Sequence, residues 1–280
     1  YATVSGAKYY DANTNGRRDP GEVGIANWDV FYTDHVSDII PTDANGDFSV
    51  QMTQDSYCFV ESLGGSPWIQ TGNLVDQTTV SGGATAALRA DKSYAISVIG
   101  GSSIAGLNFG NICVGAGGGL TLGYWSNKNG QARIGADDLA ALVALHLRGA
   151  SGGDFDPAST TQLRTWLLSA TATNMAYMLS AQLAAMKLNV LNGAVNGGGL
   201  VYAPGSISAN VNGFATVDAL MAEADVELQD HALTLAGSPY RAYQEALKSA
   251  LDNANNNRSF VQPGPASCPT PTLTAQLCTP

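Results

Sequence analysis

The spacing of apolar residues changes once along the sequence, from a strand-like to a helical pattern, across the glycine-rich stretch 114–123. Before it, residues 1 to about 113 contain strand-like runs such as YCFVES and SYAISVIG, and Asn45-Gly46 is a strong signal for a hairpin turn. No window in this part has helical periodicity. These features predict an N-terminal β-sandwich of about seven strands, followed by a hinge at 114–123.

Beyond this stretch the apolar residues recur with a helical period. The segment 173–191 is apolar on most faces and is expected to form the central helix. Two other segments begin with a cap residue and a proline, Asp156-Pro157 and Ser238-Pro239. The five predicted helices are 136–148, 156–170, 173–191, 215–233 and 238–257.

Two irregular segments complete the organisation. The excursion 192–213 is long for a loop inside a compact domain and indicates a functional loop or an interface. The tail 263–280 is rich in proline and threonine, and it either adds an edge strand to a neighbouring copy or folds back on its own chain. We therefore predict an α+β multidomain chain, with a β-sandwich over 1–113, a mainly α-helical domain over 114–262 and this extended tail.

Composition restricts the classes of partner. Charged residues make up 13% of the chain and the net charge is −10, so nucleic acid and anionic membranes are not expected as partners. No apolar run is long enough to span a membrane. The chain begins at Tyr1 and not at Met, which we interpret as a mature or trimmed product from which any signal peptide has been removed.

Four cysteines are present, and no CxxC motif favours a zinc site. The count suits an oxidising, extracellular setting, although free buried thiols are the alternative. Four cysteines allow three pairings. We expect Cys58 to pair with Cys113 inside the β domain, and Cys268 with Cys278 within the tail.

The segment DANTNGRRDPGE (11–22) matches the calcium-loop pattern D-x-[DN]-x-[DN]-G-x5-E at every position. Calcium prefers a flexible shell of carboxylate and carbonyl oxygens, and Gly16 falls where such a loop turns sharply. The alternative is an Asn/Gly turn without metal. The predicted ligands are Asp11, Asn13, Asn15, the carbonyl oxygen of Arg17, Asp19 and Glu22.

The flanks of this loop read as strands and not as helices, and here the sequence resembles a known family. SGAKYYDANTNGRRDPGEVGIANWDVFYT, TDANGDFSV and LNFGN are similar to the SdrD-B-like and Cna-B-like domains of bacterial surface adhesins. The resemblance covers about residues 1–113 and implies an immunoglobulin-like, calcium-stabilised sandwich that spaces or rigidifies a surface protein. It also implies a candidate isopeptide bond between Lys8 and Asn108; one sequence does not fix the position of its acid, for which Glu61 is one candidate. The cysteine pair departs from most such repeats.

The helical part looks like a module that follows SdrD-B-like domains in secreted bacterial proteins. The matching runs are GGGLTLGYWSNKNGQ, TNMAYMLSAQLAAM and SPYRAYQEALKSALDNANNN. This resemblance implies only secretion and a surface context. It does not indicate any particular activity.

The run GYWSNKNG allows two interpretations. Tyr124, Trp125 and Asn127 could form an exposed sugar-binding surface, because aromatic rings stack on sugar faces and amides bond to hydroxyls. The alternative, which we favour, is that Trp125 anchors the chain in the helical core.

Catalytic signals are absent from the sequence. His35, His146 and His231 lie in different contexts, and neither HExxH nor GxSxG occurs. His146 is expected to be a satisfied histidine in the middle of a helix. Enzyme chemistry is therefore not expected.

Two classes of function remain. The first is a secreted, calcium-stabilised structural protein that associates with itself into a filament or surface layer. The second is a cell-surface adhesin whose helical domain binds a glycan or a protein.

Overall fold

The structure is a computed structural model that describes residues 1–33, 37–72 and 76–278. Over these residues the chain combines two β-sheets with seven helices, which confirms a mixed fold of strands and helices. The chain divides into two units, Tyr1–Val114 with Gln262–Pro280 (the β unit) and Gly115–Val261 (the helical unit). The tail therefore belongs to the β unit and is not a separate region.

The β unit contains ten strands over its described residues. They are β1 Ala2–Tyr10, β2 Asp29–Thr33, β3 Ser37–Pro41, β4 Asp47–Met52, β5 Asp55–Glu61, β6 Trp68–Gln70, β7 Thr79–Ser81, β8 Thr85–Leu88, β9 Tyr94–Val98 and β10 Ser103–Gly115. One sheet has the order β4–β1–β10, with β1 and β10 parallel, and β6 and β7 also pair with β10. The other sheet is antiparallel in the order β3–β2–β5–β9–β8. Alternating apolar residues from both sheets form one buried core.

A β-bulge in β10 decides which of its side chains face this core. Val4 pairs with Ile104, but Gly6 pairs with Leu107, so β10 holds one extra residue between the two pairs. Gly106 lies at that point with φ +84°, a conformation that glycine adopts without a steric penalty. Because successive side chains alternate between faces, the extra residue moves every later position of β10 to the opposite face.

The tail lies along its own β unit. Leu63 and Thr274 exchange backbone hydrogen bonds of 2.9 and 2.8 Å, and the Trp68 indole donates to the Pro269 carbonyl at 2.9 Å. The second arrangement considered from the sequence, a tail folded back on its own chain, is thus the one observed for residues 262–278.

The predicted disulfide pairing is wrong. Cys58 in β5 is bonded to Cys278, and Cys113 in β10 to Cys268, so both bonds join the tail to the sheets. Strands β6 and β10 bring Cys113 beside Trp68, the residue over which the tail passes. Nearness along the sequence suggested the other pairing, but the returning tail brings the distant cysteines together.

The helical unit packs its helices around one buried segment. Its elements are α1 Leu122–Ser126, α2 Lys128–Gln131, α3 Ala136–Val143, α4 Thr160–Ser169, α5 Met175–Leu191, β11 Leu200–Tyr202, β12 Phe214–Thr216, α6 Val217–Asp230, α7 Arg241–Asn255 and β13 Phe260–Val261. Helix α5 is buried on nearly all faces, as predicted for 173–191. No helix in the described parts of the chain is long and apolar enough to cross a membrane.

Helix starts differ from the predicted caps. Helix α4 begins after Ser159 and not at Asp156, because the Ser159 hydroxyl accepts from the Gln162 amide at 3.2 Å. The Gln162 side chain accepts from the amide of Ala158, the residue before the cap, at 2.8 Å, so a second backbone amide at this end of the helix is also bonded. Helix α7 similarly begins at Arg241, after a turn at Ser238.

The glycines of the expected hinge are anchored within the helical unit. The backbone amides of Gly117, Gly118 and Gly119 all donate to Oδ1 of Asn257, at 2.6, 2.8 and 3.2 Å. Three bonds to one oxygen fix this backbone, so 117–119 is an ordered turn and not an open linker.

Candidate functional site

The predicted calcium loop lies directly after β1, on the surface of the β unit. Asp11 is its one fully buried carboxylate, and it is held by backbone amides. Its Oδ1 accepts from Asn15 at 3.0 Å and its Oδ2 from Gly16 at 2.8 Å. Gly16 has φ +73°, which permits the sharp turn that brings both amides to the carboxylate. Burial raises the pKa of Asp11, while these hydrogen bonds oppose the shift.

Three other predicted ligands converge beside it. The side-chain amides of Asn13 and Asn15 both donate to Oδ2 of Asp19, at 2.9 and 2.6 Å. Arg17 lies between Asn15 and Asp19 in the sequence, and its guanidinium is 3.5 Å from the Asp19 carboxylate. The two asparagine amides lower the pKa of Asp19 and keep it ionised. The loop is therefore ordered by its own polar side chains.

Glu22 is the last residue of the loop, and one of its carboxylate oxygens is buried without a hydrogen-bond partner. Its Oε2 accepts from the Asp19 amide at 3.0 Å, but its Oε1 is buried without any hydrogen bond. Burial raises the pKa of Glu22, and the negative charges of Asp11 and Asp19 raise it further. A buried, unpartnered carboxylate oxygen facing two other carboxylates fits a position that a cation would neutralise.

Among residues 1–33, 37–72 and 76–278, no three His, Cys, Asp or Glu side chains are arranged to hold a metal ion. The calcium pattern relies on amide and backbone oxygens as well as carboxylates. Calcium at Asp11, Asn13, Asn15, Arg17, Asp19 and Glu22 stays a prediction, and Glu22 Oε1 is the atom that favours it.

A second cluster lies in the core beneath this loop. Lys8 in β1 and Glu61 in β5 are both fully buried and form an ion pair between the two sheets. The Lys8 ammonium also lies 4.5 Å from the centre of the Trp28 ring and 3.4 Å from the carbonyl oxygen of Phe109. Charged residues are almost never fully buried without a functional or structural reason.

Burial pushes this pair toward its uncharged form. It lowers the pKa of Lys8 to about 8, although the Glu61 charge opposes the shift. It also raises the pKa of Glu61, against the opposing effect of Lys8. At neutral pH, a larger fraction of Lys8 is therefore the neutral amine than for an exposed lysine, and a larger fraction of Glu61 is the protonated acid than for an exposed glutamate.

The expected partner of Lys8, Asn108, does not face this cluster. Lys8 pairs with Phe109, and Asn108 points to the opposite face, where its amide approaches Gln77 at 3.4 Å. Asn111 follows Phe109 by two positions and shares its face. It is buried, and its Oδ1 has no hydrogen-bond partner.

The pairing of β10 with β6 also indicates that Asn111 faces Glu61. Asn111 pairs with Gln70 of β6, and the side chain of Gln70 interacts with Glu61. Strand register and alternation therefore place Asn111, and not Asn108, on the face of β10 that Lys8 and Glu61 share. Sequence reasoning missed Asn111 because it did not detect the bulge at Gly106.

This arrangement has the parts for forming an amide bond. The neutral Lys8 amine can attack the side-chain carbonyl carbon of Asn111, forming a C–N bond as the bond to the Asn111 nitrogen breaks. Protonated Glu61 can donate to the Asn111 oxygen and pass a proton from the amine to the departing group. The balance is one new amide bond and one ammonia released, with no oxidant or cofactor.

The predicted sugar-binding residues serve the fold instead. Trp125 is fully buried in the helical core, and its indole nitrogen donates to Asn189 at 3.0 Å. Tyr124 packs edge-on against Trp125, and Asn127 caps α2 by accepting from the amides of Asn129 and Gly130. A buried indole cannot stack on a sugar, so the binding interpretation of Trp125 is wrong and the anchoring one is supported.

The two histidines that the structure describes, His146 and His231, each bond to one carboxylate. His146 follows α3, which ends at Val143, so its predicted place inside a helix is wrong; it bonds to Asp225 at 3.1 Å. His231 caps α6 and bonds to Glu227 at 3.0 Å. His35 lies outside the described residues. The absence of enzymatic activity stays a prediction.

The helical unit has an open groove of about 480 Å³ beside α6. Glu223 fixes its rim, because it accepts from the Ser206 hydroxyl and from the amides of Ile207 and Ser208, at 2.7–2.9 Å. Ile207 and Val211 are nevertheless 81% exposed on that same loop. An ordered loop that displays two large apolar side chains has the character of a contact surface.

No protein-family model matches this sequence, and no curated protein does.

Proposed function

We propose that the chain is a secreted, calcium-stabilised structural protein of a cell surface, whose immunoglobulin-like β unit is locked by an internal bond between Lys8 and Asn111. Copies of it build an extracellular filament or surface layer. The observation that carries this proposal is the buried cluster of Lys8, Glu61 and Asn111, since a protein that must resist unfolding gains from internal covalent bonds. The resemblance to surface adhesins and the two disulfides support the same reading.

The internal bond predicts a loss of mass. The purified protein should be lighter by one ammonia than its sequence mass after allowance for both disulfides. Glu61→Ala and Asn111→Ala should each restore the unmodified mass, because one removes the proton carrier and the other the acceptor amide. Intact-protein mass spectrometry measures the loss, and fragmentation of the joined peptides locates it.

Asn108→Ala is the matched control, because it removes the neighbouring asparagine of β10 on the opposite face. It should keep the ammonia loss. A wild-type protein with the full sequence mass, or a loss that disappears in the Asn108 variant, would contradict the Lys8–Asn111 bond.

Calcium should stabilise the β unit. A ligand that binds only the folded state at a hundredfold excess over its Kd adds about 2.7 kcal/mol. Removing calcium with EDTA should therefore lower the Tm, and Glu22→Ala should abolish that sensitivity. Glu245→Ala is the control, since it removes a half-exposed carboxylate from the helical unit.

The calcium effect should also depend on pH. The pKa values of Asp11 and Glu22 are raised, so both bind protons more readily in the folded state than in the unfolded chain. Protonation then stabilises the metal-free fold and competes with calcium. The Tm gain from calcium should shrink as the pH falls through these raised values; an unchanged gain, or no EDTA effect at neutral pH, would contradict the site.

Self-association is tested directly by electron microscopy of the purified protein with calcium and with EDTA. The tail is not suitable for this test by deletion, because residues 263–280 include Cys268 and Cys278 and their loss would remove both disulfides. Ordered polymers that need calcium would support a structural role. A protein that stays monomeric at high concentration under both conditions would favour the second candidate.

That second candidate is a surface adhesin whose helical unit binds a glycan or protein. It is favoured by the groove beside α6, by the exposed Ile207 that lines it and by the exposed Val211 on the same loop. Saturable binding to a glycan or protein array that is lost in Ile207→Ser, with helical circular dichroism retained, would support it. Trp125→Ala is not a suitable variant for this test, because Trp125 is buried in the helical core.

A further inference from the structure

The two disulfides are nested around the helical unit. The outer one joins Cys58 to Cys278 across 220 residues, and the inner one joins Cys113 to Cys268 across 155 residues. The helical unit, Gly115–Val261, lies wholly inside the inner loop. Either bond alone provides a covalent path between the two ends of the chain that does not include the helices.

Tension in a chain follows its shortest covalent path. In a chain without the Lys8–Asn111 bond, a pull applied at the two ends enters β5, crosses the outer disulfide and leaves through the tail. Where that bond has formed, the shorter path runs from Lys8 to Asn111 and then crosses the inner disulfide at Cys113. If the outer bond is broken, the path runs through β10 and the inner disulfide instead. The helical unit carries no tension in either case.

The cysteines are also set in strands suited to receive this load. Cys58 is buried in β5, which pairs with β2 on one side and β9 on the other. Cys113 is buried in β10, next to β6. Pulling on either cysteine therefore acts on hydrogen-bonded strands in a packed core and not on a loose loop.

We propose that the β unit transmits tensile force along a surface protein while the nested disulfides shield the helical unit from it. This role rests on the proposed structural function. Helices stretched in series with the chain would lose their packing as the chain extends, whereas a shielded unit keeps its fold and any contact surface it bears. The nesting makes the protection redundant, since the loss of one bond leaves it intact.

Single-molecule stretching of the full chain tests this, with handles attached at both ends through peptide tags that contain no cysteine. Wild type should show no extension from the helical unit. Cys58→Ser/Cys278→Ser and Cys113→Ser/Cys268→Ser, each keeping one bond, should also lack it. The variant with all four substitutions should show the extension of the helical unit, roughly 500 Å for the 155-residue separation between Cys113 and Cys268 at about 3.3–3.6 Å per residue.

A second measurement covers the case in which the fourfold variant does not fold. A reductant added to tethered wild-type protein should produce the same added extension. The helical extension appearing in oxidised wild type, or in either two-cysteine variant, would overturn the proposal, as would its absence after complete reduction of a folded chain. These outcomes do not depend on a Lys8–Asn111 bond, because that bond does not enclose the helical unit; the mass measurement tests it separately.

Discussion

Replacing Cys58 and Cys278 with serine is expected to lower the free energy of unfolding of the β unit by about 2–5 kcal/mol. The bond closes a loop of 220 residues, for which the chain-entropy model gives about 5 kcal/mol as an upper value. In the wild-type protein the end of the tail is also held by a hydrogen bond of 2.7 Å from the Thr33 hydroxyl to the Cys278 carbonyl. Without the disulfide, this hydrogen bond alone would hold Cys278 to the sheet. Denaturant unfolding, followed by hydrogen exchange of the β5 amides, measures the difference.

Thr33→Val is the matched control, because it removes only that hydrogen bond. It should cost about 1 kcal/mol, the usual net value of one bond. Cys113→Ser/Cys268→Ser should behave like the first pair, since its loop is also long. Non-reducing peptide maps that join Cys58 to Cys113, or a variant as stable as wild type, would contradict the pairing.

The cysteines show which level of structure the sequence could predict. Their number and the expectation of disulfides follow from the sequence, and two bonds are present. Their partners depend on where the chain goes after the helical unit, and no local pattern encodes that. A proline- and threonine-rich tail looks like a free end until its backbone pairing with Leu63 is known.

The β-bulge at Gly106 is the reason that the sequence predicted Asn108, and not Asn111, as the partner of Lys8. The sequence suggested Lys8, with Glu61 as one candidate for the acid, but strict alternation from Ile104 along β10 would put Asn108 on the core face. The extra residue at Gly106 reverses that alternation and brings Asn111 to the core instead. A glycine inside a strand is a signal of such a bulge, and it is visible in the sequence.

Periodicity was more reliable than local signals in the helical unit. The continuous apolar pattern of 173–191 predicted the buried helix α5 because burial on all faces needs such a pattern. Exposure of Trp125 could not be judged from its neighbours, since a polar flank is compatible with either outcome. Its burial depends on Asn189, 64 positions away, which accepts the indole hydrogen bond.

The second large effect is expected from Glu61→Ala, studied in the Asn111→Ala background so that no internal amide bond contributes. Glu61 and Lys8 are both fully buried as a pair. Removing one member leaves the other charge buried without compensation, which typically costs about 3–5 kcal/mol. The free energy of unfolding, measured by denaturant titration against the Asn111→Ala parent, should fall by that amount near neutral pH.

The loss should grow as the pH falls. Burial already lowers the pKa of Lys8 to about 8 with Glu61 present, and removal of the Glu61 charge lowers it further. A lysine with a depressed folded-state pKa contributes stability that is fully present above its unfolded value and is lost as the pH falls through the folded value. The Glu61→Ala variant should therefore be less stable at about pH 6 than at about pH 9, where more of its Lys8 is neutral.

Lys8→Met/Glu61→Leu in the same background separates the charge from the packing. Apolar side chains of similar volume replace both partners, so no charge stays buried and the loss should be much smaller than for Glu61→Ala alone. Its stability should also lack the added dependence on pH. Equal losses in the two variants, or a Glu61→Ala loss that is the same at both pH values, would show that Lys8 is not held in a dry core. The amine would then remain charged at neutral pH, and the route to an amide bond with Asn111 would lose its nucleophile.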